Sequence, residues 1–108
     1  MNFIRIAERF ETSPSGTDSF KAFYKDAFAL MKEDPENAGL YFVVGIAAQS
    51  FVRMYEDQGI TADFADAAKA TLAGFNARLL ASLSAEPLER LKQLGEVAIE
   101  YEWKVTSF

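Results

Sequence analysis

The chain has 108 residues, half of them hydrophobic and ten of them Phe, with 16 acids against 11 bases and a net charge of −5. That length holds one domain with one core, and so apolar a composition argues against disorder outside the termini. With no Cys and no His, disulfides, thiolate or imidazole metal sites and Cys- or His-based catalysis are excluded, and the acidic balance argues against nucleic acid as a partner.

Phe3, Ile6, Ala7 and Phe10 recur at helical spacing, which predicts a short amphipathic helix over about residues 2–11. Arg5, Glu8 and Arg9 within it do not fit a signal peptide. The cluster TSPSGT ends it. Thr17 or Asp18 then caps a second helix, with Phe20, Phe23, Tyr24, Ala27, Leu30 and Met31 as its apolar stripe and its end near Glu33. Asp34-Pro35 opens a central helix, Asp as N-cap and Pro in the first turn.

The remaining segments must pack around Leu40 to Tyr55, LYFVVGIAAQSFVRMY. Leu40, Val44, Ala47, Phe51 and Tyr55 share one face, while Phe42 and Ile46 lie opposite, beside Gln49 and Arg53. A helix apolar on nearly every side belongs in the middle of a domain. Its unbroken apolar run, Leu40 to Ala48, is nine residues, against about 20 for a membrane span. A core helix is expected, and no membrane.

Gln58-Gly59 stops that helix near Asp57. Thr61 caps a fourth, with Phe64, Ala68, Thr71, Leu72, Phe75 and Leu79 on its core face, running to about Ser82. Ser84 caps the last, with Leu88, Leu91, Leu94, Gly95, Ala98 and Tyr101 on its apolar side. Trp103 projects beside Lys92 and Glu96, as an exposed or interface ring would. Strand signals are nearly absent. The expected fold is an all-α single domain: an up-down bundle of four main helices over about residues 18–103, plus the short N-terminal helix.

Motifs for chemistry are missing. There is no Walker loop, dinucleotide fingerprint or EF-hand loop, and a di-iron site needs Glu-x-x-His pairs. No catalytic residue, metal or cofactor is assigned, and an enzyme is not expected. Two patterns stand out instead. Gly45, Gly74 and Gly95 each fall inside a predicted helix, where Gly costs roughly 0.5–1 kcal/mol against Ala. In an up-down bundle they share a layer roughly 12–15 Å from one end, which Phe23 and Tyr24 also reach. That layer is either tight packing or an apolar ligand pocket. The second pattern is acidic. Glu56, Asp57, Glu100 and Glu102 stand at helix C-termini, where the dipole disfavours them, and in that bundle they share an end with Asp63 and Asp66.

Phe42 and Ile46 need a cover, from the N-terminal helix or from a second subunit. These features lead to the expectation of a cytoplasmic, bacterial, non-enzymatic protein-interaction module of adaptor or immunity/antitoxin type. It would meet a protein partner, basic where the acids cluster, or self-associate through Phe42 and Ile46. The alternative is a small-molecule-binding or regulatory bundle using the glycine layer.

Overall fold

The computed structural model describes residues 1–106 and 108. The described residues are all helical or connecting: α1 (Phe3–Thr12), α2 (Thr17–Glu33), a 3-10 turn (Pro35–Asn37), α3 (Ala38–Tyr55), α4 (Ala62–Ser82) and α5 (Pro87–Lys104). The radius of gyration, 13.2 Å, is that of a packed chain of this length.

Local chemistry sets most of the boundaries. Asn2 caps α1 by accepting the Arg5 N–H at 3.0 Å, and Thr61 caps α4 by accepting that of Phe64 at 3.1 Å. The expected side-chain cap on α2 is absent. Gly16 precedes the helix at φ +148°, a conformation other residues rarely adopt. Ser84 does not cap α5 either; its hydroxyl donates to the Ala81 carbonyl, and Pro87 starts the helix with its fixed φ. Asp34 makes no cap bond. Its carboxylate accepts from Asn37 Nδ2 at 2.9 Å and from the Tyr41 hydroxyl at 2.6 Å, pinning the turn that leads into α3.

The core forms where α2 and α3 lie along each other. Phe20 and Phe51 are fully buried with ring centroids 4.0 Å apart. Leu40, Val44 and Ala47 extend that face of α3 as the spacing predicts. Phe108 folds back onto the same rings, 5.3 Å from Phe51 and 5.8 Å from Phe20.

The helices divide the packing differently from expectation. α1 packs against both α2 and α4, so contacts run α1–α2–α3–α4 and back to α1. Its Phe3, Ile6, Ala7 and Phe10 are all core residues. α5 rests on α3 and α4 and buries only Val97 completely. The short helix is therefore integral to the core, and the long last helix is peripheral.

With its preceding turn, the central helix spans Pro35–Tyr55, 21 residues, and is long and apolar enough to cross a membrane. The expectation that it is too short counted only its unbroken apolar run. Here Val44, Ala48 and Phe51 have no exposed surface, whereas Phe42 and Met54 of the same helix are about half exposed.

Candidate interaction surface

α5 carries apolar residues on two faces. One face, Leu94, Val97 and Tyr101, turns inward, and Leu94 Cδ2 stands 3.7 Å from where a Cβ on Gly39 would lie. The other faces outward. Leu88 is 79% exposed, Leu91 67%, Ile99 60% and Trp103 78%. At about 100° per residue these four side chains and Gly95 fall within about 60° of one line along the helix. Exposed Lys92 and Glu102 fall within the same arc, but large apolar side chains clustered on a helix surface still mark an interaction site. The sequence suggested Leu88, Leu91 and Gly95 for the core side; the structure rotates the helix so that all three are exposed. Two apolar arcs on one helix left that choice open, and Leu94, Val97 and Tyr101 take the core.

The glycine layer does not assemble. Gly74 and Gly95 are exposed, with nothing within 4 Å of where a Cβ would stand. Gly45 is buried, and a Cβ there would overlap the Phe28 ring. Phe23 packs against Phe10 in the core, and half-buried Tyr24 lies beside Phe28. The five residues line no common cavity among the described residues.

Phe42 is 49% exposed and Ile46 half-buried. The N-terminal helix does not cover them, because it packs on α2 and α4. Phe28 of α2, which the apolar stripe did not include, lies beside Phe42 with ring centroids 6.4 Å apart.

Among the six acids, three already have partners within the chain. Glu56 accepts from Lys21, which raises the Lys21 pKa. Asp66 accepts from the Ser15 hydroxyl, and Glu100 takes Arg78 of α4. Asp57, Asp63 and Glu102 remain exposed. No three acids converge on a cation site among the described residues.

Among the concavities of the described residues that lie away from these acids, two border a buried polar group with no hydrogen-bond partner. A groove of about 280 Å³ between the starts of α3 and α5 is lined by Gly39, Leu40, Leu83, Arg90, Leu91 and Leu94, among others. The Arg90 Nε inside it has no hydrogen-bond partner among the described residues, and its head group stands 3.9 Å from Glu36. A smaller cavity of about 60 Å³ between α1 and α4 is bordered by Ala7, Ala73, Leu80 and Asn76. Asn76 is 2% exposed, and neither amide atom is hydrogen-bonded within the described protein.

Comparison of this chain with protein-family models, with curated proteins and with solved structures finds no match.

Proposed function

We propose that this chain is a non-enzymatic protein-interaction module, of adaptor or immunity/antitoxin type, acting in the cytoplasm through the outer face of α5. The observation that supports it is the exposure of Leu88, Leu91, Ile99 and Trp103 on one stripe, with an aromatic anchor of the kind that dominates protein interfaces. We read the scaffold as an up-down bundle in which α1 closes the ring and α5 lies outside it. Of the exposed acids Asp57, Asp63 and Glu102, Glu102 lies on α5 itself and would meet a basic residue of the partner. The test is a pull-down from the native cell with wild type and with Trp103→Lys and Leu91→Lys variants, which substitute exposed side chains and keep the fold. A protein partner retained by wild type and by Phe42→Glu, but lost by both α5 variants, supports the reading. Retention that depends on Phe42 alone moves the surface to α3.

A second reading, a small-molecule-binding bundle, rests on the Arg90 groove rather than on the glycines. A cationic head group with an unpartnered N–H in an apolar groove suits a small apolar carboxylate. Titration with hexanoate, followed by NMR shifts at Leu40 and Leu94 that Arg90→Gln abolishes, would favour it.

A further inference from the structure

The exposed stripe of α5 is symmetric about its own glycine. Leu91 and Ile99 stand four residues either side of Gly95, and Leu88 and Trp103 seven and eight residues either side. We infer that this face pairs with the same face of a second copy, the two α5 helices running antiparallel about a two-fold axis at Gly95. This rests on the reading of α5 as an interaction surface and names its occupant.

A two-fold axis perpendicular to the helix places each residue opposite the one equally far beyond Gly95. Leu91 then meets the partner's Ile99 at the same height, and Leu88 meets the partner's Trp103 within one residue's rise, about 1.5 Å. Both contacts occur twice, as an isologous interface requires. Every large apolar side chain exposed on α5 finds an apolar counterpart this way. A foreign partner would not require that symmetry.

Gly95 also gains a reason. Glycine is the poorest helix former after proline, and no neighbour in the chain requires it, because a Cβ there would meet nothing within 4 Å. At the two-fold axis two glycines face each other and let the backbones approach closely, so that the flanking side chains interlock.

Charge fits the same register. Lys92 falls inside one edge of the stripe, between Ile99 and Trp103, with Glu96 just beyond it on the same flank, while exposed Glu102 falls inside the other edge, level with the partner's Leu88 near the end of the seam. The two-fold keeps that flank on the same side in both copies and brings Lys92 within about 3 Å of axial height of the partner's Glu96. Two reciprocal ion pairs result, in the arrangement that flanks a helical seam. The four apolar side chains expose on the order of 500 Å² per copy, close to the roughly 600–800 Å² per partner of a specific interface once the flanks are added.

Trp103 is the only tryptophan, so its emission reports this contact directly. The experiment is sedimentation velocity together with tryptophan emission over a dilution series of the full chain. The expected result is a monomer–dimer equilibrium in which emission shifts to the blue as the dimer forms. Lys92→Glu should weaken pairing about tenfold by opposing two like-charge pairs, and the Lys92→Glu, Glu96→Lys double variant should restore it. Gly95→Ala should raise the melting temperature of dilute, monomeric protein by roughly 3–6 °C yet weaken pairing about tenfold or more.

A wild type that stays a 12.0 kDa monomer at millimolar concentration overturns the inference. So does a dimer indifferent to Gly95→Ala and to the charge reversal. A monomer that still retains a protein lost by Trp103→Lys overturns self-pairing and leaves the interaction reading intact. A monomer that retains none overturns both.

Discussion

Gly45, Gly74 and Gly95 occupy comparable places in their helices, yet their substitution by alanine has opposite expected signs. At Gly45 the added methyl enters the volume of the Phe28 ring. Displacing that ring from between Tyr24 and Phe42 should cost about 1–3 kcal/mol, the usual penalty for overpacking. At Gly74 and Gly95 the methyl meets nothing, so helix propensity and a less flexible unfolded chain should stabilise by up to about 1 kcal/mol. Denaturant unfolding of dilute protein reads all three, and a stabilised Gly45→Ala would mean that Phe28 does not pack there. Asn76 is the opposite kind of site. Its amide is buried without a partner in the chain, a state that costs about 1–3 kcal/mol. The adjoining cavity of about 60 Å³ leaves room for a branched side chain. Asn76→Leu should therefore raise stability by about 1–2 kcal/mol, and a loss would show that the amide is well solvated.

The start of α3 shows how one element carries a pH dependence. Hydrogen bonds from Asn37 and then Tyr41 hold the Asp34 carboxyl below its ordinary range, with burial acting against them. A carboxylate more acidic in the folded chain than in the unfolded one stabilises the fold fully above about pH 4, the unfolded value. That contribution disappears as pH falls further, through the folded value. Tyr41 is shifted the other way, upward, chiefly by burial and then by its bond to Asp34. Its neutral form stabilises the fold below about pH 10, and this is lost as pH rises above that. The stability gap between wild type and Asp34→Asn should therefore narrow below pH 4, and that to Tyr41→Phe above pH 10. A gap constant across both ranges would rule the network out. The sequence made the helix readable and this network less so. Asp34-Pro35 read as a cap and first turn, but the Asp34 side chain turns to a tyrosine seven residues on, which only the three-dimensional turn brings near. The face Leu40, Val44, Ala47 and Phe51 was legible because a single 3.6-residue period fits it. α5 was not, because it carries two apolar arcs, and which one lies inside depends on Gly39, Leu40 and Leu83 of other segments. The glycine layer failed for a related reason: it assumed that α5 belongs in the ring, the place that α1 takes.

Over the whole molecule, stability is unevenly spread. Phe20, Phe51, Val44, Leu72 and Leu79 are fully buried in α2, α3 and α4, and truncating Phe51 to Ala should cost about 3–5 kcal/mol. α5 is held by Val97, by the half-buried Leu94 and Tyr101, and by the Arg78–Glu100 ion pair, an exposed contact worth little. Elements with few buried contacts open before the rest of a domain unfolds. In dilute protein the amides in the middle of α5 should therefore exchange with solvent much faster than those of α3 near Val44 and Phe51. The proposed self-pairing would change this for α5 alone. A second copy that covers Leu88, Leu91, Ile99 and Trp103 binds the closed helix and not the opened one, so it stabilises α5 by mass action. Protection across Leu91–Ile99 should rise as protein concentration passes the dissociation constant, while protection in α3 stays at the limit set by global unfolding. Hydrogen exchange at two concentrations, read by mass spectrometry on peptides from α3 and α5, separates the cases. Protection of α5 that is already equal to that of α3 at the lower concentration would place α5 within the cooperative core. Slow exchange in α5 at neither concentration would leave its outer face without a partner of its own kind.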